Sequence, residues 1–103
     1  MKFADVSMVR VYLTEHAHLS ARIMKVLHDW EHARGVTVFR GIAGFGTSGH
    51  MHGVNFADLA LDLPVVIEFY DVPEKIEKIL VDLNEFIEPG HIVTWNVRML
   101  IED

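Results

Sequence analysis

The amino-acid sequence predicts an α+β protein of the ferredoxin-like class, a βαββαβ sandwich. Strand-like segments with apolar residues at alternate positions are interrupted by two segments with apolar residues at helical spacing, in the order β-α-β, loop, β-α-β. Two such halves fold as four antiparallel strands with both helices on one face of the sheet. The length of 103 residues fits a single domain over residues 1–103, with one modest core.

The first half opens with a strand, predicted over residues 6–13 by its alternation of apolar and polar side chains. An amphipathic helix is predicted over residues 19–34, and Gly35 is expected to end it, because glycine is common just past a helix. The residues expected on the buried stripe of this helix are Leu19, Ile23, Val26, Leu27, Trp30 and Ala33.

The second half contains a strand at residues 36–42, a further strand at 65–70 and a last strand at 92–101. Between the first two of these strands, residues 57–61 fit either a short edge strand or a helical turn. A second helix is predicted to begin near Pro73, since proline suits the first helical position. Its expected buried stripe is Ile76, Ile79, Leu80, Leu83, Phe86 and Ile87. On the last strand, the side chains expected to point inward are Val93, Trp95, Val97, Met99 and Ile101.

Only one face of the predicted sheet is covered by helices. The residues expected on the other face are Met8, Tyr12, Val66, Tyr70, Ile92 and Leu100, mixed with Arg10, Glu68, Thr94, Asn96 and Arg98. An apolar patch of that size is unusual on a monomer. We therefore expect this face to be buried against other copies of the chain; the alternative is that residues 57–61 and the chain ends cover it.

Composition narrows the class of partner. The formal net charge is −6 with neutral histidines, which argues against nucleic acid, because phosphate-backbone binding needs a basic surface. No apolar run approaches the roughly 18 residues of a membrane span, so no direct membrane insertion is expected. The N-terminal residues lack the apolar region of a signal peptide, and there is no cysteine. A cytoplasmic location is the simplest expectation.

A glycine-rich stretch, residues 37–55, is the strongest candidate for a binding loop, and it holds five of the seven glycines of the chain. His50 and His52 near its tip offer two imidazole ligands for a metal, but a complete site would need a further ligand. The stretch matches neither the Walker A pattern, since no lysine follows the glycines, nor the dinucleotide-binding pattern. No nucleophile with a neighbouring base is visible, so we expect no catalytic residues and no enzyme.

The chain resembles the PII-like signalling proteins, and more closely the family known as domain of unknown function 190. The resemblance runs almost end to end. The segments that carry it are Val11-Tyr-Leu, Gly35-Val-Thr-Val-Phe-Arg-Gly-Ile-Ala-Gly-Phe-Gly46, His52, Asp62-Leu-Pro-Val-Val-Ile-Glu68, and Gly90 with Val93-Thr94. The resemblance implies a homotrimer of ferredoxin-like subunits with the three sheets lining the inside.

The resemblance also implies a site. PII-like proteins bind adenine nucleotides (ADP, ATP or AMP) in clefts between subunits, as effectors rather than required cofactors. They signal through a T-loop, which corresponds here to about residues 45–55. The nucleotide-binding positions carried over by match are Gly44, Phe45 and Gly46 at the loop base, and Gly90 and His91 at the turn before the last strand. We add Arg40 and Arg98 as candidates for phosphate contact, because of their charge and placement.

This sequence departs from the PII pattern at the loop. The Gly-Phe-Gly is followed by Thr47-Ser48 where PII proteins have Arg-Gln, and the loop has no tyrosine. Nitrogen sensing and uridylylation are therefore not expected. The turn before the last strand is shortened to Pro89-Gly90, and His91 stands where PII proteins have a lysine.

The function implied is that of a regulatory protein whose loop conformation, set by a nucleotide, is recognised by a partner protein. A membrane transport protein is the partner class that the resemblance suggests. The alternative is a metal-binding trimer similar to the copper-tolerance protein CutA, which would use His50 and His52. A hydrolase similar to acylphosphatases would depend on Arg40 or Arg98, but no motif supports it.

Overall fold

The structure is a computed structural model that describes residues 1–14, 18–45, 52–53 and 63–103, with the backbone alone at 52–53. The strands are β1 (Lys2–Thr14), β2 (Gly35–Arg40), β3 (Ala43–Gly44), β4 (His52–Gly53), β5 (Pro64–Asp71) and β6 (Ile92–Glu102). The helices are α1 (Ser20–Lys25), which continues into a π-helical segment (Val26–Trp30), and α2 (Pro73–Asn84). None of the described helices is long and apolar enough to cross a bilayer.

The main sheet has the strand order β2-β5-β1-β6, and every pairing in it is antiparallel. Both helical regions contribute to one core that lies on a single face of this sheet. This is the ferredoxin-like arrangement that the sequence predicts. The described residues thus confirm the fold class, while the predicted edge strand or turn at residues 57–61 lies outside them.

The core forms where the alternating residues of the strands meet the apolar stripes of the helices. Its fully buried members include Val9 and Val11 of β1 and Phe69 of β5. The stripe predicted for α2 is confirmed, with Leu80 and Phe86 packed at its margin; the buried members are Ile76, Ile79, Leu83 and Ile87. Burial of each such side chain contributes on the order of 1.5–3 kcal/mol.

The first helix is shorter than predicted, and its end has a different geometry. The α-helix gives way to the π-helical segment, in which the amide of Glu31 donates to the carbonyl of Val26 at 2.9 Å. The wider turn shifts later side chains around the axis, so Trp30, expected on the buried stripe, is 63% exposed. Gly35 does not end the helix as predicted but is the first residue of β2.

The prediction for the faces of β6 was wrong. Val9 is paired with Thr94, and Val11 with Ile92; because directly opposite residues share a face, even-numbered β6 residues lie on the helix side. The face away from the helices, called the open face below, therefore carries odd-numbered β6 residues. Its members are Met8, Arg10 and Tyr12 of β1, Val66, Glu68 and Tyr70 of β5, Thr37 and Phe39 of β2, and Val93, Trp95 and Val97 of β6.

Candidate ligand-binding site

The base of the glycine-rich loop is held against the first residue of β5. The amide of Gly41 donates to the carbonyl of Pro64 at 2.7 Å. A Cβ atom placed on Gly41 would lie 2.7 Å from the Cγ atom of Pro64, and one on Gly44 would lie 3.4 Å from it. Glycine at position 41 therefore allows the chain to turn off the end of β2 in direct contact with the proline ring.

A two-residue ribbon closes the loop. Ala43 is paired with Gly53, and Gly44 with His52, in an antiparallel arrangement. The backbone of His52 is therefore directly opposite one of the predicted nucleotide-binding glycines. Gly46 and His50 lie outside the described residues, as does most of the predicted T-loop-like segment 45–55. Within the described part of the chain, no group of three or more histidine, aspartate or glutamate side chains is placed to hold a metal ion.

Two large apolar side chains at the loop base are exposed to solvent. Phe45, predicted to contact nucleotide, is 70% exposed, and Ile42 is 77% exposed. Ile42 had been predicted as the end of the second strand, but β2 ends at Arg40. The only local sign in the sequence was Gly41, which separates Ile42 from the regular alternation of the strand.

The turn before β6 supplies a second candidate element. Gly90 has φ of 95°, a conformation that glycine adopts without strain, and no atom lies within 4 Å of a Cβ placed there. Nδ1 of His91 lies 3.0 Å from the carbonyl oxygen of Tyr12. Since a carbonyl only accepts, Nδ1 carries the proton of this hydrogen bond, and in the neutral ring Nε2 is an acceptor. A second hydrogen bond, from the amide of Tyr12 to the carbonyl of His91 at 2.9 Å, fixes the turn.

The loop base and the turn lie at the same end of the sheet but at opposite edges. Arg40, at the end of β2, is paired with Val65 of β5, which is paired with Leu13 of β1. His91 joins Tyr12 on the far side of β1. Three strand spacings separate the two edges, roughly 14 Å. One chain therefore presents the two candidate elements at opposite edges of the sheet, and they do not meet within that chain.

Arg98 does not join the other candidates within one chain. It is paired with Asp5, whereas Ile92, next to the turn, is paired with Val11. Six residues of strand separate these positions, roughly 20 Å. The guanidinium of Arg98 lies over the ring of Phe3, 4.3 Å from its centroid. Arg98 was chosen as a phosphate contact for its charge and placement, and nothing in the sequence indicated that it lies so far from the turn before β6.

Comparison with known proteins gives the chain a family context. Residues 6–99 match the model of the DUF190 family, described as "Uncharacterized ACR". The chain is 30% identical over 92 residues to a UPF0166 protein of Aquifex aeolicus, an alignment that covers 89% of this chain and 94% of that protein. Both likenesses span nearly the whole chain.

Solved structures show the same fold at low sequence identity. CPII, a nitrogen regulatory PII-like protein from Thiomonas intermedia K12 solved with ADP, AMP and bicarbonate, superposes with a TM-score of 0.75. It is 16% identical, and the match covers 95% of this chain and 91% of CPII. The divalent ion tolerance protein CutA1 from Ehrlichia chaffeensis has a TM-score of 0.59 at 9% identity, covering 95% of this chain and 84% of that one.

Proposed function

The chain belongs to the DUF190 family, and we propose that it is a PII-like regulatory protein that binds an adenine nucleotide between subunits. The observation that carries the proposal is the position of the loop base and the turn, at one end of the sheet but on opposite edges. A head-to-tail ring of copies would bring the β2 edge of one protomer against the β6 edge of the next. The proposed assembly is a homotrimer.

The chemistry of the two elements suits a nucleoside phosphate. Gly90 leaves room for a ligand to approach the backbone closely, since no atom lies within 4 Å of a Cβ placed there, and Arg40 supplies positive charge beside the loop base. Phe45 offers an exposed ring on which adenine can stack. His91, with Nδ1 held by Tyr12, presents Nε2 as an acceptor. Support for this ligand class comes from CPII, which was solved with ADP and AMP.

The proposed output is the conformation of segment 45–55. The β3–β4 ribbon anchors both ends of the loop beside the loop base, so a ligand bound there contacts the anchor directly. A ligand that prefers one loop conformation shifts the population toward it, and a partner protein recognises that state. The role is regulatory rather than catalytic. We propose a cytoplasmic location and, as the partner class, a membrane transport protein.

Isothermal titration calorimetry with ADP, AMP and ATP tests the site. Phe45→Ala is expected to weaken nucleotide binding by roughly 5- to 150-fold, since stacking of a base on an aromatic ring contributes about 1–3 kcal/mol. Ile42→Ala is the matched control, because Ile42 is equally exposed and lies three residues away. Gly46→Trp is expected to abolish binding, whereas Glu74→Trp on the first turn of α2 leaves it unchanged.

The same measurements separate the proposal from the metal-binding alternative. Wild-type nucleotide affinity in Phe45→Ala would remove Phe45 from the site. No nucleotide binding by the wild type, together with zinc or copper binding that disappears in His50→Ala/His52→Ala, would contradict the proposal and favour a metal-binding function.

A further inference from the structure

An ion pair lies in the middle of the open face. Arg10 and Glu68 are directly opposite each other on β1 and β5, and Nε of Arg10 donates to Oε1 of Glu68 at 2.9 Å. The guanidinium also lies 5.7 Å from the centroid of the Trp95 ring. Hydrogen bonds to Glu68 and Tyr12 raise the pKa of Arg10 above its usual value. The side chains of Arg10 and Glu68 are 41% and 21% exposed, so neither is fully buried by its own chain.

The rest of the open face is apolar or uncharged. Over the part of the sheet where all four strands are described, Arg10 and Glu68 are its charged residues, and they neutralise each other. The large side chains exposed around them are Tyr12, Phe39, Val93 and Trp95. The chain as a whole has a formal charge of −6, so copies would repel each other through most other surfaces but not through this neutral face.

The size of the open face suits a second copy as its occupant. Four strands of about eight residues cover roughly 500 Å². The paired ends of β1 and β6 extend the surface, because β5 pairs with β1 only from Ser7 onward, while β6 pairs with it from Lys2. A standard interface buries about 800 Å² on each partner. An acidic chain also offers nothing here to an anionic membrane or to nucleic acid.

We infer that the Arg10–Glu68 ion pair, shut off from water where the copies of the proposed homotrimer cover the open face, fixes the number and orientation of those copies. This inference rests on the homotrimer of the proposed function and adds the residues that determine it. An apolar face alone lets copies pack in several registers. A charged pair inside such a face destabilises every arrangement of the copies that separates the two charges or buries one of them without its partner.

The consequences of breaking the pair follow from burial of the remaining charge. In Arg10→Met, the Glu68 carboxylate is left at the interface without its partner. In Glu68→Gln, the Arg10 guanidinium is left there without an opposite charge. Loss of one partner from a buried pair is strongly destabilising, so the protein concentration at half-assembly should rise at least about 100-fold. Replacing both charges by apolar side chains removes the penalty but also the constraint on orientation.

The experiment measures stoichiometry by native mass spectrometry and assembly by analytical ultracentrifugation on dilution. The variants are Arg10→Met, Glu68→Gln and Arg10→Met/Glu68→Met, and circular dichroism of each reports folding. Asp29→Asn is the matched control, because Asp29 and His28 form a contact at 2.8 Å whose side chains are mostly exposed, on the π-helical segment rather than the open face. We expect weakened assembly of both single variants, no change in Asp29→Asn, and several coexisting stoichiometries of the double variant.

The outcomes separate this inference from the proposed function. A wild type that forms a trimer and binds nucleotide, with unchanged assembly of Arg10→Met, would overturn the inference and leave the proposed function intact. A double variant that forms one trimeric species only would show that the pair does not fix the arrangement. A wild type that stays monomeric at micromolar concentration would overturn both the trimer and this inference.

Discussion

The ring of Pro64 occupies the space that a side chain at Gly41 would need: its Cγ atom lies 2.7 Å from the position of a Cβ on Gly41. The proline carbonyl also accepts the hydrogen bond from the Gly41 amide, at 2.7 Å. Pro64 opens β5, so this contact ties the loop base to the central part of the sheet. Close packing of Gly41 against Pro64 therefore sets the path of the chain where it leaves β2.

The first prediction concerns this contact. Gly41→Ala should lower the free energy of unfolding by about 1–3 kcal/mol, because the added methyl group overpacks against Pro64. Gly44→Ala is the matched control, since its Cβ would lie 3.4 Å from the same ring, and it should cost less. Urea denaturation at constant m-value measures both. Gly41→Ala/Pro64→Ala should regain part of the loss; an equal cost for both single variants would contradict the account.

A second prediction concerns Asp71, whose carboxylate joins three parts of the fold. It accepts hydrogen bonds from the amides of Arg34 at 3.0 Å and Val72 at 2.8 Å, and it lies 3.4 Å from Nζ of Lys75. Asp71→Ala leaves two amides without their acceptor, and we expect a loss of about 2–4 kcal/mol in unfolding free energy. Asp29→Ala, at an exposed carboxylate, should change it little. Equal denaturation midpoints would contradict this role.

The fold was largely predictable because its core follows simple periods. Val9 and Val11 alternate with polar neighbours, and the α2 stripe repeats at helical spacing, so these elements were placed correctly. β6 was different because both of its faces carry apolar residues. Ile92 and Val93 are equally plausible core residues by sequence, and only the pairing of Val11 with Ile92 decides between them.

The site was less predictable because it depends on distances across the sheet. The π-helical segment that exposes Trp30 leaves no periodic signal in the sequence. Arg40 and Arg98 look alike as basic residues, yet Arg40 lies at the loop base and Arg98 stacks on Phe3 near the other end of the sheet. The resemblance predicts the loop base and the turn as binding elements, and this stays a prediction; their placement on opposite edges became visible only with the strand order.

A third prediction concerns pH. The pKa of Glu31 is raised above its ordinary value, chiefly by a hydrogen bond with the carboxyl group of Asp82, and further by desolvation and by repulsion from that group. As the pH rises, Glu31 therefore loses its proton at a lower pH in the unfolded state than in the native state. The free energy of unfolding consequently falls as the pH rises from the ordinary glutamate pKa through the raised one. Glu31→Gln should flatten that part of the stability–pH curve, measured by urea denaturation between pH 4 and 7.

The size of the Glu31 effect should be small because the site is close to solvent. Glu85→Gln, at an exposed residue just past α2, is the control and should leave the curve unchanged. Asp82→Asn should act in the same direction as Glu31→Gln, since either change removes one of the two like charges. A steeper curve in Glu31→Gln would contradict the assignment.

A fourth prediction concerns His32, which follows the π-helical segment with φ of 51°. An L-residue in this left-handed conformation costs roughly 1–2 kcal/mol, and glycine does not bear that steric cost. The contact at this position is made by the backbone, because the His32 carbonyl accepts a hydrogen bond from Nζ of Lys75 at 2.8 Å. His32→Gly should therefore retain the contact and raise the thermal midpoint, whereas His32→Val should lower it, since a β-branched side chain is the least tolerant of positive φ. Thermal unfolding followed by circular dichroism measures both. A lower midpoint in His32→Gly than in the wild type would mean that the imidazole itself stabilises this turn by more than its backbone strain costs.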